Sequence, residues 1–141
     1  MTDECIFCKI VAGDSPASVV HDDDQVMAFM DLFPVTPGHT LVVPKAHSVG
    51  IRDLDDQTGA RMLAVARRVA QALTTSPLRC DGVNLFLADG EAAGQDVFHS
   101  HLHVIPRFEG DGFVVHGQRL EVEPTRAHLD EHAELIRGQL D

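Results

Sequence analysis

His99, His101 and His103 stand at alternate positions in His99-Ser100-His101-Leu102-His103, and Val104-Ile105-Pro106-Arg107 follows directly. In an extended chain, side chains at i, i+2 and i+4 point to one face, with about 7 Å per two-residue step. The spacing therefore predicts a strand with one imidazole surface. Imidazole titrates near neutral pH, attacks phosphorus as a neutral base and ligates zinc, so a row of three fits phosphoryl chemistry or metal binding. A metalloenzyme with all three on one catalytic ion is the alternative, although a straight row spans about 13 Å and converges only with a bulge. The isolated His21, His116, His128 and His132 carry no such geometric information.

Just upstream runs Asp89-Gly90-Glu91-Ala92-Ala93-Gly94-Gln95-Asp96-Val97. Glycine and small residues let the backbone come close to a ligand and turn its N–H groups toward an anion. Placed before three histidines, this turn is a candidate phosphate cradle.

The elements that position these residues are legible in outline. Ile6, Phe7 and Ile10 within Cys5–Val11 predict a short helical turn ended by Gly13 and Pro16. Residues 18–21 and 25–30, around Asp22-Asp23-Asp24, read as a hairpin, and Pro34, Pro37 and Gly38 force a loop before a β-branched strand over 39–44. After Asp55-Asp56, the segment 57–73 carries Met62, Val65, Ala66, Val69 and Leu73 at helical spacing. Residues 82–88 and 97–105 read as two more strands. A terminal helix over about 126–140 follows Pro124-Thr125, with Leu129, Ala133, Ile136 and Leu140 on one face. The expectation is a single α+β domain over residues 1–141, with a mostly antiparallel sheet of about five strands and two main helices.

Composition narrows the partners. The 22 acidic against 11 basic residues give a net charge of −11, which repels nucleic-acid backbones and anionic membranes. A small phosphate-bearing ligand is still compatible, because local donors outweigh a distant field screened within about 8–10 Å. The acidic start Met1-Thr2-Asp3-Glu4 and the absence of a long apolar run argue for a cytoplasmic protein without a membrane partner. Cys5 and Cys8 form a C-x-x-C and Cys80 is left over, an odd count that argues against a disulfide framework.

His99-x-His101-x-His103-Val104-Ile105 resembles the histidine-triad motif. The resemblance extends over Gly94-Gln95-x-Val97, over Asp31-Leu32-x-Pro34-x-x-Pro37-Gly38-His39-x-Leu41-Val42-x-Pro44 and over Cys5-Ile6-Phe7-Cys8-Lys9-Ile10. It covers nearly the whole chain in the same order, and is strongest to the short bacterial members of the Hint type. What it implies is a histidine-triad fold whose sheet continues across a homodimer. It also implies a hydrolase or transferase acting at the α-phosphate of purine nucleoside phosphoramidates, adenylates or dinucleoside polyphosphates. A non-enzymatic nucleotide sensor or adaptor using the same pocket is a second alternative.

By the same resemblance, His101 is the nucleophile that becomes nucleotidyl-histidine, His103 contacts phosphate, and His99 and His39 support the row. Asp31 accepts the ribose hydroxyls, Ile6, Phe7, Ile10, Phe29 and Leu32 form the slot for the base, and Gln95 with the backbone around Val97 holds phosphate oxygens. Two positions depart from the family pattern. Asp89 stands where many relatives carry asparagine, and Asp96 stands where they often carry serine or threonine; both put negative charge close to the phosphate, so either these side chains turn away or the leaving-group preference differs from that of the relatives. The resemblance further implies one structural zinc per chain on Cys5, Cys8, His47 and His99, and no organic cofactor.

Overall fold

Alternation along the strands sorts the apolar residues onto the two faces of one sheet, and each face is covered by a different helix. The computed structural model describes residues 4–115, 117 and 119–140; residues 1–3, which open the acidic start, and His116 lie outside them. β1 (Val19–Asp22) and β2 (Val26–Met30) form the expected hairpin. Its turn is held by Asp23, whose Oδ1 accepts the N–H groups of Gln25 at 2.8 Å and Val26 at 2.9 Å. With β3 (Thr40–Pro44), β4 (Gly82–Phe86) and β5 (Leu102–Arg107) they make a five-stranded sheet of order β1-β2-β3-β5-β4, every neighbouring pair antiparallel.

Helix α2 (Asp56–Thr75) starts where the sequence predicts: the Asp55 side chain caps it, accepting the Thr58 N–H at 2.7 Å. Met62, Val65, Ala66, Val69 and Leu73 are all buried, against Val26, Ala28, Val42 and Val104 from alternate positions of β2, β3 and β5. Burying each of the larger side chains stabilises by roughly 1.5–3 kcal/mol. The opposite face of the sheet presents Met27, Phe29, Leu41 and Val43, and α1 (Ile6–Ala12) closes it with Phe7.

Two predicted elements differ. The strand expected over 97–105 begins only at Leu102, because its ladder with β3 runs from Val42↔Leu102 to Thr40↔Val104. Before that point the Ser100 N–H turns away to the Ser48 carbonyl at 2.6 Å. Helix α3 (Arg126–Arg137) forms, capped by Thr125, but none of its residues is buried. Leu129, Ile136 and Leu140, read as an inward face, are 38%, 63% and 73% exposed. Among the described residues, no side chain of α3 is buried against the rest of the fold. Among the described residues, no helix is long and apolar enough to cross a membrane.

Candidate active site and metal centre

Register decides which face carries the chemistry. His103 pairs across β5 and β3 with Leu41, so it emerges on the face covered by α1. His101, just before the strand, follows it there, with ring centroids 4.9 Å apart, and Phe7 of α1 meets the His101 ring edge-on at 5.1 Å. His99, His101 and His39 are buried. The expected open row of imidazoles is thus a packed wall, with His103 half-exposed at its edge.

Hydrogen bonds assign the ring nitrogens. Nδ1 of His101 lies 2.8 Å from the carbonyl oxygen of His99. A carbonyl only accepts, so in the neutral ring Nδ1 carries the proton and Nε2 keeps its lone pair. A second chain of bonds runs through His39. The Val35 N–H donates to His39 Nδ1 at 3.0 Å, and His39 Nε2 lies 2.8 Å from His103 Nδ1. The neutral His39 therefore donates through Nε2, and His103 is left with its proton on Nε2. Burial lowers the pKa of His39, with Asp31 opposing and His101 reinforcing the shift. Burial, together with the neighbouring His101 and His39, pushes His103 down to about 4, against the opposing pull of Asp31 and Asp96. Both rings are accordingly neutral at physiological pH.

His99 does not join this arrangement with its ring. Its Nε2 lies 2.8 Å from the carbonyl of Pro44 and its Nδ1 turns to Cys5 Sγ at 3.4 Å, Cys8 Sγ at 3.5 Å and His47 Nδ1 at 3.2 Å. Its ring lies in the cysteine cluster for which it is named as a zinc ligand, and its support of the row comes from its carbonyl, which reaches His101. The three triad rings thus diverge, each with its own partner, and do not converge on one ion.

Cys5, Cys8, His47 and His99 bring their ligand atoms within 4.8 Å of one another. Tetrahedral zinc, with Zn–S about 2.3 Å and Zn–N about 2.0 Å, sets S···N and N···N separations of roughly 3.3–3.6 Å; the separations here run from 3.2 to 3.5 Å. The Pro44 carbonyl fixes the His99 tautomer as a buried acceptor does behind many zinc ligands. Burial and the adjacent Cys5 push the Cys8 thiol up to about 11. The donor set fits zinc.

The loop before the triad is built differently from its expected role. Gly90 and Gly94 adopt φ of 96° and 88°, conformations that L side chains avoid, and so turn the chain sharply. Gln95 is buried and fully engaged: its Oε1 accepts the Gly90 N–H at 2.8 Å and its Nε2 donates to the carbonyls of Val49 at 2.5 Å and Val97 at 3.0 Å. It braces the loop rather than offering an amide to phosphate. The Val97 N–H is taken by Asp96 Oδ1 at 2.9 Å. Asp89 also turns away, to Arg52 Nε at 3.0 Å and Nη2 at 3.1 Å. Gly50 makes room for it, since a Cβ there would sit 2.3 Å from Asp89 Oδ1. The arginine holds this carboxyl below its usual range. Gln95 and Asp89 thus answer to partners distant in the chain, Val49 and Arg52, that a linear reading does not reveal, whereas the Val97 N–H is taken by its own neighbour.

Asp31 stands at the other end of the site. Its Oδ1 accepts the Phe33 N–H at 2.9 Å and its Oδ2 lies 3.4 Å from His39 Nε2. Of the apolar set, Phe29 is a core residue, edge-on to Phe7 at 5.5 Å. Phe7 and Ile10 pack in the same cluster, whereas Ile6 and Leu32 are exposed. Phe86 on β4, paired with His103 and 5.8 Å from its ring, escaped the sequence reading; alternation in β4 becomes informative only once that register is known.

The HIT domain family matches residues 12–110 of the chain. An uncharacterized HIT-like protein of Borreliella burgdorferi is 45% identical over 122 residues, which are 85% of this chain and 88% of that protein. The crystal structure of a HIT family protein from Bacillus anthracis matches with a TM-score of 0.93 and 39% identity, covering 100% of both chains. A zinc-bound histidine triad family protein from Mycobacterium smegmatis matches with a TM-score of 0.77 and 40% identity, over 100% of this chain and 98% of that one. The chain belongs to the HIT family, and that membership points to a nucleotide-binding hydrolase or transferase.

Proposed function

We propose that this protein cleaves purine nucleotides at the α-phosphate, releasing the leaving group of a nucleoside phosphoramidate, adenylate or dinucleoside polyphosphate through a nucleotide covalently held on His101. The bond from His101 Nδ1 to the His99 carbonyl carries this reading, because it leaves Nε2 as the nucleophilic atom. In the first step a P–Nε2 bond forms and the bond from phosphorus to the leaving nitrogen or oxygen breaks, the leaving atom taking the bonding electron pair and a leaving amine also a proton from solvent. The ring becomes cationic, and the His99 carbonyl facing Nδ1–H stabilises that charge. In the second step water attacks phosphorus and gives up a proton to solvent, and the P–Nε2 bond breaks, returning the electron pair to the ring. His103, with its proton on Nε2, donates to a non-bridging phosphate oxygen in both steps. Asp31, whose Oδ1 accepts the Phe33 N–H, keeps acceptor sites for the ribose hydroxyls.

Cys5, Cys8, His47 and His99 hold zinc in this reading, as a structural ion that ties α1 to the segment carrying His99. A titration of AMP release from an adenosine phosphoramidate, with and without chelator, tests the assignment. Turnover that survives brief chelation is expected. Binding of AMP without any turnover identifies a sensor instead, and instant loss of activity in a still-folded protein identifies a catalytic metal.

The chain also pairs with a copy of itself. β4 ends the sheet with Leu85 and Phe86 44% and 45% exposed. Beside it an apolar groove of about 400 Å³, lined by Ile51, Leu54, Ala60, Leu63 and Leu87, lies along the start of α2. A two-fold copy covers both, in the manner of an isologous interface.

A further inference from the structure

Among the described residues, Asp96 is the carboxylate that the fold leaves at the nucleophile. Its Oδ1 lies 3.6 Å from His101 Nε2, and the bond from the Val97 N–H to the same oxygen holds it there. The side chain is 83% exposed, so it stands at the mouth of the site. Asp89, by contrast, is paired in two-pronged fashion with Arg52. Among the described residues Asp96 has no arginine or lysine partner; the His101 imidazole is the ring beside its carboxylate. Any α-phosphate brought onto Nε2 therefore meets a fixed negative charge. The leaving atom stands on the far side of phosphorus from Nε2, still inside the roughly 8 Å over which an exposed charge acts at physiological salt.

We propose that Asp96 is a specificity-determining residue that selects leaving groups carrying positive charge and rejects polyanionic ones. The inference rests on the function proposed above and names its substrate class: nucleoside phosphoramidates of amines that bear a second, ammonium group. An ammonium near Asp96 offsets the repulsion between carboxylate and phosphate, a neutral amine leaves it as it is, and a polyphosphate tail adds to it. Discrimination of this kind works as much by repelling the wrong substrate as by attracting the right one.

Three adenosine substrates that share the AMP portion separate this effect from ribose and base binding: a phosphoramidate of a diamine, a phosphoramidate of an alkylamine without further charge, and a dinucleoside polyphosphate. kcat/KM is measured for each with the parent, Asp96→Asn and Asp96→Glu, at low and high salt. The parent is expected to rank them in that order, with the preference for the diamine substrate shrinking as salt rises. Asp96→Asn should raise the polyphosphate-to-diamine ratio by about tenfold and flatten its salt dependence, while Asp96→Glu keeps the parent's pattern. A ratio in Asp96→Asn within about threefold of the parent's, or an Asp96→Glu enzyme that behaves like Asp96→Asn, overturns the role of Asp96 and leaves the proposed function standing. If no substrate releases AMP with the parent, both readings fall together.

Discussion

The carbonyl oxygen of His99 lies 2.8 Å from Nδ1 of His101, while the ring of the same His99 turns to Cys5, Cys8 and His47. One residue thus joins two centres. Its ring stabilises the fold where α1 meets the chain before β5, and its backbone sets the tautomer of the proposed nucleophile. Anything that frees the His99 ring also loosens the atom that orients His101.

Zinc content is the direct readout of the first centre. Protein purified without chelator is expected to hold one zinc per chain. Cys8→Ser should lose it and melt roughly 6–12 °C lower, the shift that about 2–3 kcal/mol produces in a domain of this size. Metal analysis and thermal melts of both proteins check this; a metal-free parent that takes up none, or a variant of unchanged stability, contradicts it.

Acid weakens the fold through His103. Its folded pKa, about 4, lies below the unfolded value of about 6.5. As pH falls below 6.5 the unfolded chain therefore takes up a proton that the folded one refuses. Stability is complete above pH 6.5 and declines as pH falls toward 4. His39, lowered for the same reason, acts in the same direction. Urea midpoints at pH 7.5 and 5 should drop more for the parent than for His103→Gln. Equal drops in the two proteins would show that this ring does not contribute.

Asp31 can be tested apart from the chemistry. Asp31→Ala should weaken AMP binding by roughly 1.5–3 kcal/mol, the usual worth of hydrogen bonds to a charged acceptor. The parent should discriminate against 2′,3′-dideoxy-AMP and the variant should not. Calorimetric titration that finds the parent binding both nucleotides alike removes Asp31 from the ribose site.

Sedimentation at micromolar concentration should give about twice the 15.4 kDa chain mass. Leu63→Asp, on the exposed side of α2 facing the groove, should shift the protein toward the monomer. A parent that sediments as a monomer contradicts the pairing.

How far the sequence reached follows from what kind of information each residue needed. The hairpin around Asp23, helix α2 with its five buried residues and the alternating histidines are local patterns, and the structure contains them. The fates of Gln95, Asp89 and the His99 ring depend on Val49, Arg52 and Pro44, 46, 37 and 55 residues away in the chain. No spacing rule encodes such partners. The shortened β5 has the same origin, because Ser48 captures the Ser100 N–H before the ladder begins. Helix α3 shows the converse: its amphipathic pattern is present, but a pattern states that a face seeks cover and not which chain provides it.

The central claim is that a nucleotide becomes covalently attached to His101 Nε2. Rapid acid-free quenching of the parent during turnover of an α-³²P-labelled adenosine phosphoramidate, followed by peptide mapping, tests it most directly. Label is expected on His101 alone, acid-labile as a phosphorus–nitrogen bond is, and absent from His101→Ala, whose turnover should fall by several powers of ten, about 1.4 kcal/mol of barrier for each. Label on His99 or His103, or a fully active His101→Ala protein, would contradict the account.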